Sequence, residues 1–285
     1  WSEWWTHNGI SGPNFWGLVN PEWVLCTRGK RQSPIDINTN LLLFDARLNK
    51  VHLDSVQVYS AGKTANNAET KSARKARYNT FKSVKTSDEP LYVNLTGGPL
   101  SYQYRVVEVF IHFGSHETVG SEHTIDGIFF PAEIQIVAYN SEIYGNYTQA
   151  KSSTYGLAVL SVLCKIGNES NEEFQVLAKE LHRVKYRGNQ VHVPKLTVKN
   201  LLPKTSDIIT YEGSLTIPGC DETVTWIIFN KPMLISNKDL LSLRDLVQGD
   251  EIDQNVSMEN NCRHTNPLND RPVRTNINFH GAQVQ

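Results

Sequence analysis

Short runs of mostly apolar residues, bounded by Gly, Asn, Pro or Ser, dominate this chain. The clearest cover residues 104–113, 133–139, 158–164, 191–198 and 224–229. Most are rich in Val, Ile, Phe or Tyr, the composition of strands. The fourth contains Pro194, which cannot donate to a ladder and so belongs to an edge or bulged strand. Two segments carry helical spacing instead. In one, Ser170 and Asn171 precede Glu172 and Glu173 as a capped start, and Phe174, Leu177, Leu181 and Val184 fall on one face. The other covers about 238–247, with Leu240, Leu243 and Leu246 or Val247 as its stripe. No repeat is visible and no linker splits the chain, so the pattern predicts one large sheet with a few short helices around it.

Side chains alternate faces along a strand. In 104–113 this puts Val107, Val109, Ile111 and Phe113 on a wholly apolar face, and Glu108, Phe110 and His112 on the other. In 133–137, Glu133, Gln135 and Val137 share a face. If the two strands pair, a short polar row lies on an apolar sheet. That row is either a pocket floor or, more commonly, a set of buried groups held by structural hydrogen bonds. A metal site using His112 with Glu108 or Glu133 is a weaker reading, because a lone histidine beside a glutamate is more often structural.

One segment breaks the pattern. Residues 61–85 are polar and carry Lys63, Lys71, Arg74, Lys75, Arg77, Lys82 and Lys85. They read as a solvated, mobile insertion, with an anion-binding patch as the alternative. The 285 residues carry a formal net charge of −1, so nothing global points to nucleic acid. No apolar run reaches the roughly 18–20 residues that span a bilayer. The first residue is Trp1, compatible with removal of a signal peptide. The four cysteines, Cys26, Cys164, Cys220 and Cys262, form no CxxC pair. Sequons at Asn94, Asn146, Asn168 and Asn255 are candidate glycosylation sites and weak support for secretion.

Ordered motifs run through nearly the whole chain. Phe15-Trp16-Gly17 is followed by Arg31-Gln32-Ser33-Pro34-Ile35-Asp36-Ile37, then by Gly97-Gly98-Pro99-Leu100. Next come His112-Phe113-Gly114-Ser115, Gly120-Ser121-Glu122-His123-Thr124-Ile125-Asp126 and Ala132-Glu133. Gly156-Leu157-Ala158-Val159-Leu160, Tyr211-Glu212-Gly213-Ser214-Leu215-Thr216-Ile217-Pro218, Val224-Thr225-Trp226-Ile227-Ile228 and Asn266-Pro267-Leu268-Asn269-Asp270-Arg271 complete the set. In this order they resemble the α-type carbonic anhydrases. The resemblance implies an α+β, sheet-dominated single domain over 1–285, apart from the 61–85 insertion and a tail at 280–285. Its centre would be a twisted, mostly antiparallel sheet of about ten strands flanked by short helices.

Active members of that family hold Zn²⁺ with three histidines, two of them two residues apart on one strand and the third on its neighbour. Here His112 matches the second, while Phe110 and Gln135 stand at the first and third. Phe has no lone pair to give, and the Gln amide is a poor zinc donor. A catalytic zinc needs about three protein ligands and an open position for water. Without the metal, water stays near its bulk pKa and is a weak nucleophile. The resemblance therefore implies that zinc is absent and hydration activity lost; the alternative is a retained zinc-dependent hydration of carbon dioxide. Thr216 and Glu122 match the pair that orients zinc hydroxide, and are expected to persist as a buried hydrogen bond. Lys82 falls where the proton-shuttle histidine belongs and, with a pKa near 10.4, is poorly matched to that task. Val137, Val159, Leu215 and Trp226 match the apolar pocket wall, leaving with Phe110 a dry, partly filled cleft. Cys26 and Cys220 match a pair that is disulfide-bonded in extracellular members. Cys164 reads as a buried thiol. Cys262 reads either as an exposed thiol open to intermolecular pairing or as a buried one. These losses, with the ending Arg274-Thr275-Asn276-Ile277-Asn278-Phe279, resemble the secreted carbonic anhydrase-related proteins of the X and XI type. That resemblance implies an extracellular, non-catalytic protein-binding role, with neurexin-like cell-surface partners.

Overall fold

The structure, a computed structural model, describes residues 5–64, 79–83, 92–249 and 256–279. Its first strands in chain order are β1 (Asp36–Ile37), β2 (Leu43–Phe44), β3 (His52–Leu53), β4 (Gln57–Thr64) and β5 (Asn79–Ser83). Then follow β6 (Asn94–Thr96), β7 (Tyr104–Phe113), β8 (Thr124–Ile125), β9 (Ala132–Asn140) and β10 (Leu157–Gly167). The last are β11 (Gln190–Thr197), β12 (Ile208–Gly213), β13 (Val224–Phe229), β14 (Met233–Ser236) and β15 (Arg274–Thr275). One sheet takes ten of them along a continuous path, β11-β4-β5-β7-β9-β10-β13-β12-β15-β2, with β3, β6 and β14 attached beside it. Most pairs are antiparallel; β10 with β13 and β14, and β15 with β2, are parallel. The expected sheet-dominated architecture is what the chain adopts.

The helices are short: α1 (Trp16–Val19), α2 (Leu25–Arg28), α3 (Tyr147–Lys151), α4 (Glu172–Ala178) and α5 (Asn237–Arg244). Asn171 caps α4 by accepting from the Glu173 and Phe174 amides, as its position before two glutamates predicts. The helix ends at Ala178, and Leu181–Val184 continue as a 3-10 turn that keeps Leu181 and Val184 buried. Ser236 caps α5 through the Asp239 amide; that helix stops at Arg244, short of the expected 247.

β7 and β13 coincide with the predicted runs, and β11 is the edge strand that Pro194 requires, with a register shift between Val193 and Leu196. Two expectations need correcting. The polar segment 61–85 is not a simple insertion. Its two ends enter the sheet as β4 and β5, between β11 and β7, while residues 65–78 and 84–91 lie outside the described residues. Backbone ladders need no apolar side chains, so a polar strand leaves little hydrophobic signal. Lys82 lies on β5 in register with Glu108. Val107 is also misplaced by strict alternation. A bulge between Val106 and Glu108 advances the chain by a residue, and Val107 packs with the opposite apolar cluster from Val109, Ile111 and Phe113.

The sheet therefore separates two cores. One holds Val109, Ile111, Phe113, Ile134 and Ile136 with the apolar faces of α4 and α5. The other holds Phe110, Val137, Val159, Tyr211, Leu215 and Trp226 with Trp5 and Trp16 of the N-terminal segment. The polar row of β7 and β9 lies on this second side.

Candidate functional site

β7 and β9 pair so that Glu108 faces Val137, Phe110 faces Gln135, and His112 faces Glu133. Phe110, His112 and Gln135 are buried, with no more than 4% of their surface exposed. Glu122 and Glu133 are fully buried beside them.

Gln135 makes the defining contacts. Its amide Nε2 donates to Glu122 Oε2 at 2.8 Å and to Glu133 Oε1 at 3.0 Å. Two carboxylates around one amide nitrogen also fix which end of the amide is which. The remaining Glu122 oxygen accepts from the Arg263 amide at 2.9 Å. Glu133 is the most heavily bonded acid. It accepts from the Glu122 and His123 amides, each at 2.9 Å, and from the Ser161 hydroxyl at 2.8 Å, with His123 Nδ1 a further 2.9 Å contact. Burial alone would raise its pKa, but His123 and these hydrogen bonds outweigh that and bring it down to about 2. Beyond His123, Nε2 lies 2.7 Å from the Tyr211 hydroxyl, which donates to Ser33 Oγ at 2.8 Å. Burial holds the Tyr211 hydroxyl well above the usual phenol range. The Gly213 position shows how closely this region is packed: a Cβ there would lie 2.2 Å from Ser33 Oγ.

His112 is oriented by Asn261, whose carbonyl oxygen lies 2.8 Å from Nδ1. The Asn261 side chain also spans β7, accepting from the Phe113 amide and donating to the Ile111 carbonyl, each at 2.9 Å. On the other side of the ring, His112 Nε2 stands 3.6 Å from Glu122 Oε2, too far for a hydrogen bond, and has no partner among the described residues. His7 is a second buried imidazole, edge-on to Trp5, and its Nε2 likewise has no partner among the described residues. Burial, with a smaller contribution from His112, lowers its pKa to about 3.

This donor set does not fit a catalytic zinc. Phe110 has no lone pair, and Gln135 turns its amide nitrogen, a donor, to the acidic pair. Among the described residues, no group of three or more His, Cys, Asp and Glu side chains is placed to hold a metal ion. The expected Glu122–Thr216 hydrogen bond is also replaced. The Glu122 oxygens are taken by Gln135 and Arg263, and Thr216 lies buried on the loop between β12 and β13, with no hydrogen bond to Glu122 among the described residues.

Val137, Val159, Leu215 and Trp226 are all buried in the second core with Phe110. Trp226 donates from Nε1 to the Ser214 carbonyl at 3.0 Å and meets His123 edge-on. Cys26 and Cys220 are disulfide-bonded, tying α2 to the loop that carries Thr216. Arg263 reinforces the tie by donating to the Cys26 and Ser33 carbonyls, and its burial lowers its pKa to about 10. Cys164 is a buried free thiol, as expected. Cys262 is half-buried; its thiol contacts the Gly120 carbonyl at 2.8 Å, and desolvation raises its pKa well above the usual value. That is not the environment of a reactive cysteine. Asn94 is half-buried, Asn146 and Asn168 are exposed, and Asn255 lies outside the described residues. Sequence reasoning missed Asn261, Arg263, Tyr211 and Ser33 as parts of the site. The polar run Asn260-Asn261-Cys262-Arg263 was the one local signal that a chain end enters the core.

Comparison with known proteins agrees with this fold. A sequence profile of the eukaryotic-type carbonic anhydrases matches residues 11–277. A protein of Caenorhabditis elegans named putative carbonic anhydrase-like protein 2 is 37% identical over 278 residues, covering 96% of this chain and 79% of its own length. Putative carbonic anhydrase-like protein 1 of the same organism is 36% identical over 320 residues, covering 94% of this chain and 88% of its own. Its fold, its ordered motifs and these relatives place the chain in the eukaryotic-type carbonic anhydrase family, beside proteins named carbonic anhydrase-like.

Proposed function

We propose that this chain is an acatalytic carbonic anhydrase-related protein that works outside the cell as a protein-binding module. The observation that carries the reading is Gln135. Its amide bridges Glu122 and Glu133 where a third imidazole would be needed, and Phe110 fills the place of the first. Zinc is then absent, no hydroxide forms at neutral pH, and carbon dioxide is not hydrated. The Cys26–Cys220 bond supports an oxidising compartment. No described helix is long and apolar enough to cross a membrane, which is compatible with secretion. The partner in this reading is an extracellular or cell-surface protein of the neurexin-like kind.

Metal analysis of purified protein, paired with a carbon dioxide hydration assay, tests the catalytic half. The expected result is substoichiometric zinc and no inhibitor-sensitive rate. Stoichiometric zinc with turnover would establish the alternative, an active hydratase, and end the proposal. A non-reducing affinity pull-down from extracellular membrane extracts tests the binding half. Specific capture of a neurexin-like surface protein supports it, and failure to retain purified neurexin ectodomain would remove that partner.

A further inference from the structure

The described sequons differ in a way their sequences do not reveal. We infer that Asn146 and Asn168 carry N-linked oligosaccharides in the mature protein and that Asn94 does not. This rests on the extracellular reading above, since such glycans are added along the secretory route. Transfer makes a bond between the asparagine Nδ2 and C1 of a sugar carried on a lipid diphosphate. The bond from C1 to the diphosphate oxygen breaks, the amide loses a proton, and the lipid diphosphate leaves. The folded product must then leave that nitrogen, and a bulky polar chain, in water.

Asn146 meets this condition. It is exposed and caps α3 through its oxygen, with Oδ1 accepting from the Gln149 amide at 2.9 Å. The cap uses the acceptor and leaves the nitrogen to solvent. Asn168 is exposed in the turn directly after β10.

Asn94 fails it. It lies within β6, between β3 and β7. Its Nδ2 donates to Asp54 Oδ2 at 3.0 Å, and the same carboxylate oxygen accepts from the Asn94 amide, also at 3.0 Å. Its Oδ1 is buried, and its neighbour Leu95 is fully buried. A sugar on this nitrogen would replace one of its two hydrogens at a half-buried strand position, beside Asp54 and an already buried Oδ1, so a chain modified there is not expected to settle into this fold.

The test is site mapping on the full chain secreted behind a foreign signal peptide, with glycans removed enzymatically in heavy-oxygen water so that each occupied asparagine becomes a labelled aspartate. The label is expected at Asn146 and Asn168 and not at Asn94. Asn146→Gln and Asn168→Gln should each remove one glycan step on a gel, and Asn94→Gln none. Label at Asn94 in folded, secreted protein would overturn the inference, as would an unlabelled Asn146 or Asn168. Because entry to the secretory route is imposed, such a failure leaves the extracellular reading untouched. That reading fails separately, if the protein expressed from its own gene in its own cells stays in the cytosol.

Discussion

Replacing Gln135 by leucine isolates the contact on which the functional reading turns. The substitution keeps roughly the same volume and removes both donors, so it changes hydrogen bonding more than packing. A hydrogen bond to a charged group contributes about 1.5–3 kcal/mol net, and more when the acceptor is left buried. Two such bonds, at 2.8 and 3.0 Å, make a loss of about 3–5 kcal/mol at pH 7 the expected size. The loss falls unequally. Glu133 retains the Glu122 and His123 amides and the Ser161 hydroxyl, whereas Glu122 retains the Arg263 amide as its hydrogen-bond donor. A double-mutant cycle with Glu122→Gln therefore separates this account from simple packing damage. Urea denaturation, followed by circular dichroism and tryptophan fluorescence, measures the four stabilities. The double variant should lose at least about 1 kcal/mol less than the sum of the single losses, the scale on which contacting residues couple. Strict additivity, or a Gln135→Leu loss under about 1 kcal/mol, would refute the idea that the amide compensates the acidic pair.

Three further tests follow from the same geometry. Phe110→His with Gln135→His places imidazoles on facing positions of β7 and β9 beside His112, and the folded double variant should bind about one zinc by elemental analysis; a folded variant that ignores zinc would show that the metal position is misassigned. His7 has a folded-state pKa of about 3 against an ordinary 6.5, so the unfolded chain binds its proton first and stability falls as pH drops from 6.5 toward 3, by up to about 5 kcal/mol from this group. His7→Phe should flatten that part of a stability–pH curve, and an unchanged slope would contradict a neutral buried imidazole. Cys26→Ser with Cys220→Ser opens a loop whose ends are 194 residues apart, for which chain entropy gives about 5 kcal/mol as an upper figure; a guanidinium midpoint equal to that of the parent would show that the bond contributes nothing.

The fold was legible where side chains are buried on alternating faces. β7 and β13 could be read to their end residues, because each is a run of strand-forming residues closed by turn residues. Which residues of β7 and β9 share a face was legible as well, whereas the register that sets Glu133 against His112 and Gln135 against Phe110 came from the structure. What escaped were features with no periodic signal. β4 and β5 are polar strands inside the sheet, the Val106–Glu108 bulge shifts the alternation by one residue, and α4 ends at Ala178 while its apolar stripe runs on to Val184 in a 3-10 turn. The site residues escaped for a related reason. Asn261 lies 149 positions from His112 and Ser33 lies 178 from Tyr211, so their partnership exists only in the folded chain. The family resemblance singled out Phe110, His112 and Gln135, but it pointed to Thr216 as the partner of Glu122. It did not show that Gln135 had taken that place.

The persistence of acids and a histidine in a site without a fitting metal set has a physical cause that does not require catalysis. Glu122, Glu133, His123, Tyr211 and Ser33 form one buried chain of contacts, each member holding the next. Deleting one member leaves another polar group unpaired in a low-dielectric interior, which costs more than the contact contributed. A zinc ligand differs from such a member. A lone pair with no metal to hold has nothing to satisfy, so that position tolerates other side chains, provided any acid behind it still finds a donor. Phe110 illustrates the apolar outcome, extending the cluster formed by Val137, Val159 and Leu215. Gln135 illustrates the polar one. Its nitrogen donates to two carboxylates that would otherwise face each other without a donor between them. His112 is intermediate, because its Nδ1 is held at the Asn261 carbonyl while its Nε2 is left without a partner among the described residues. The residues that still resemble an enzyme are therefore those whose removal would damage the core, and their presence says nothing for turnover.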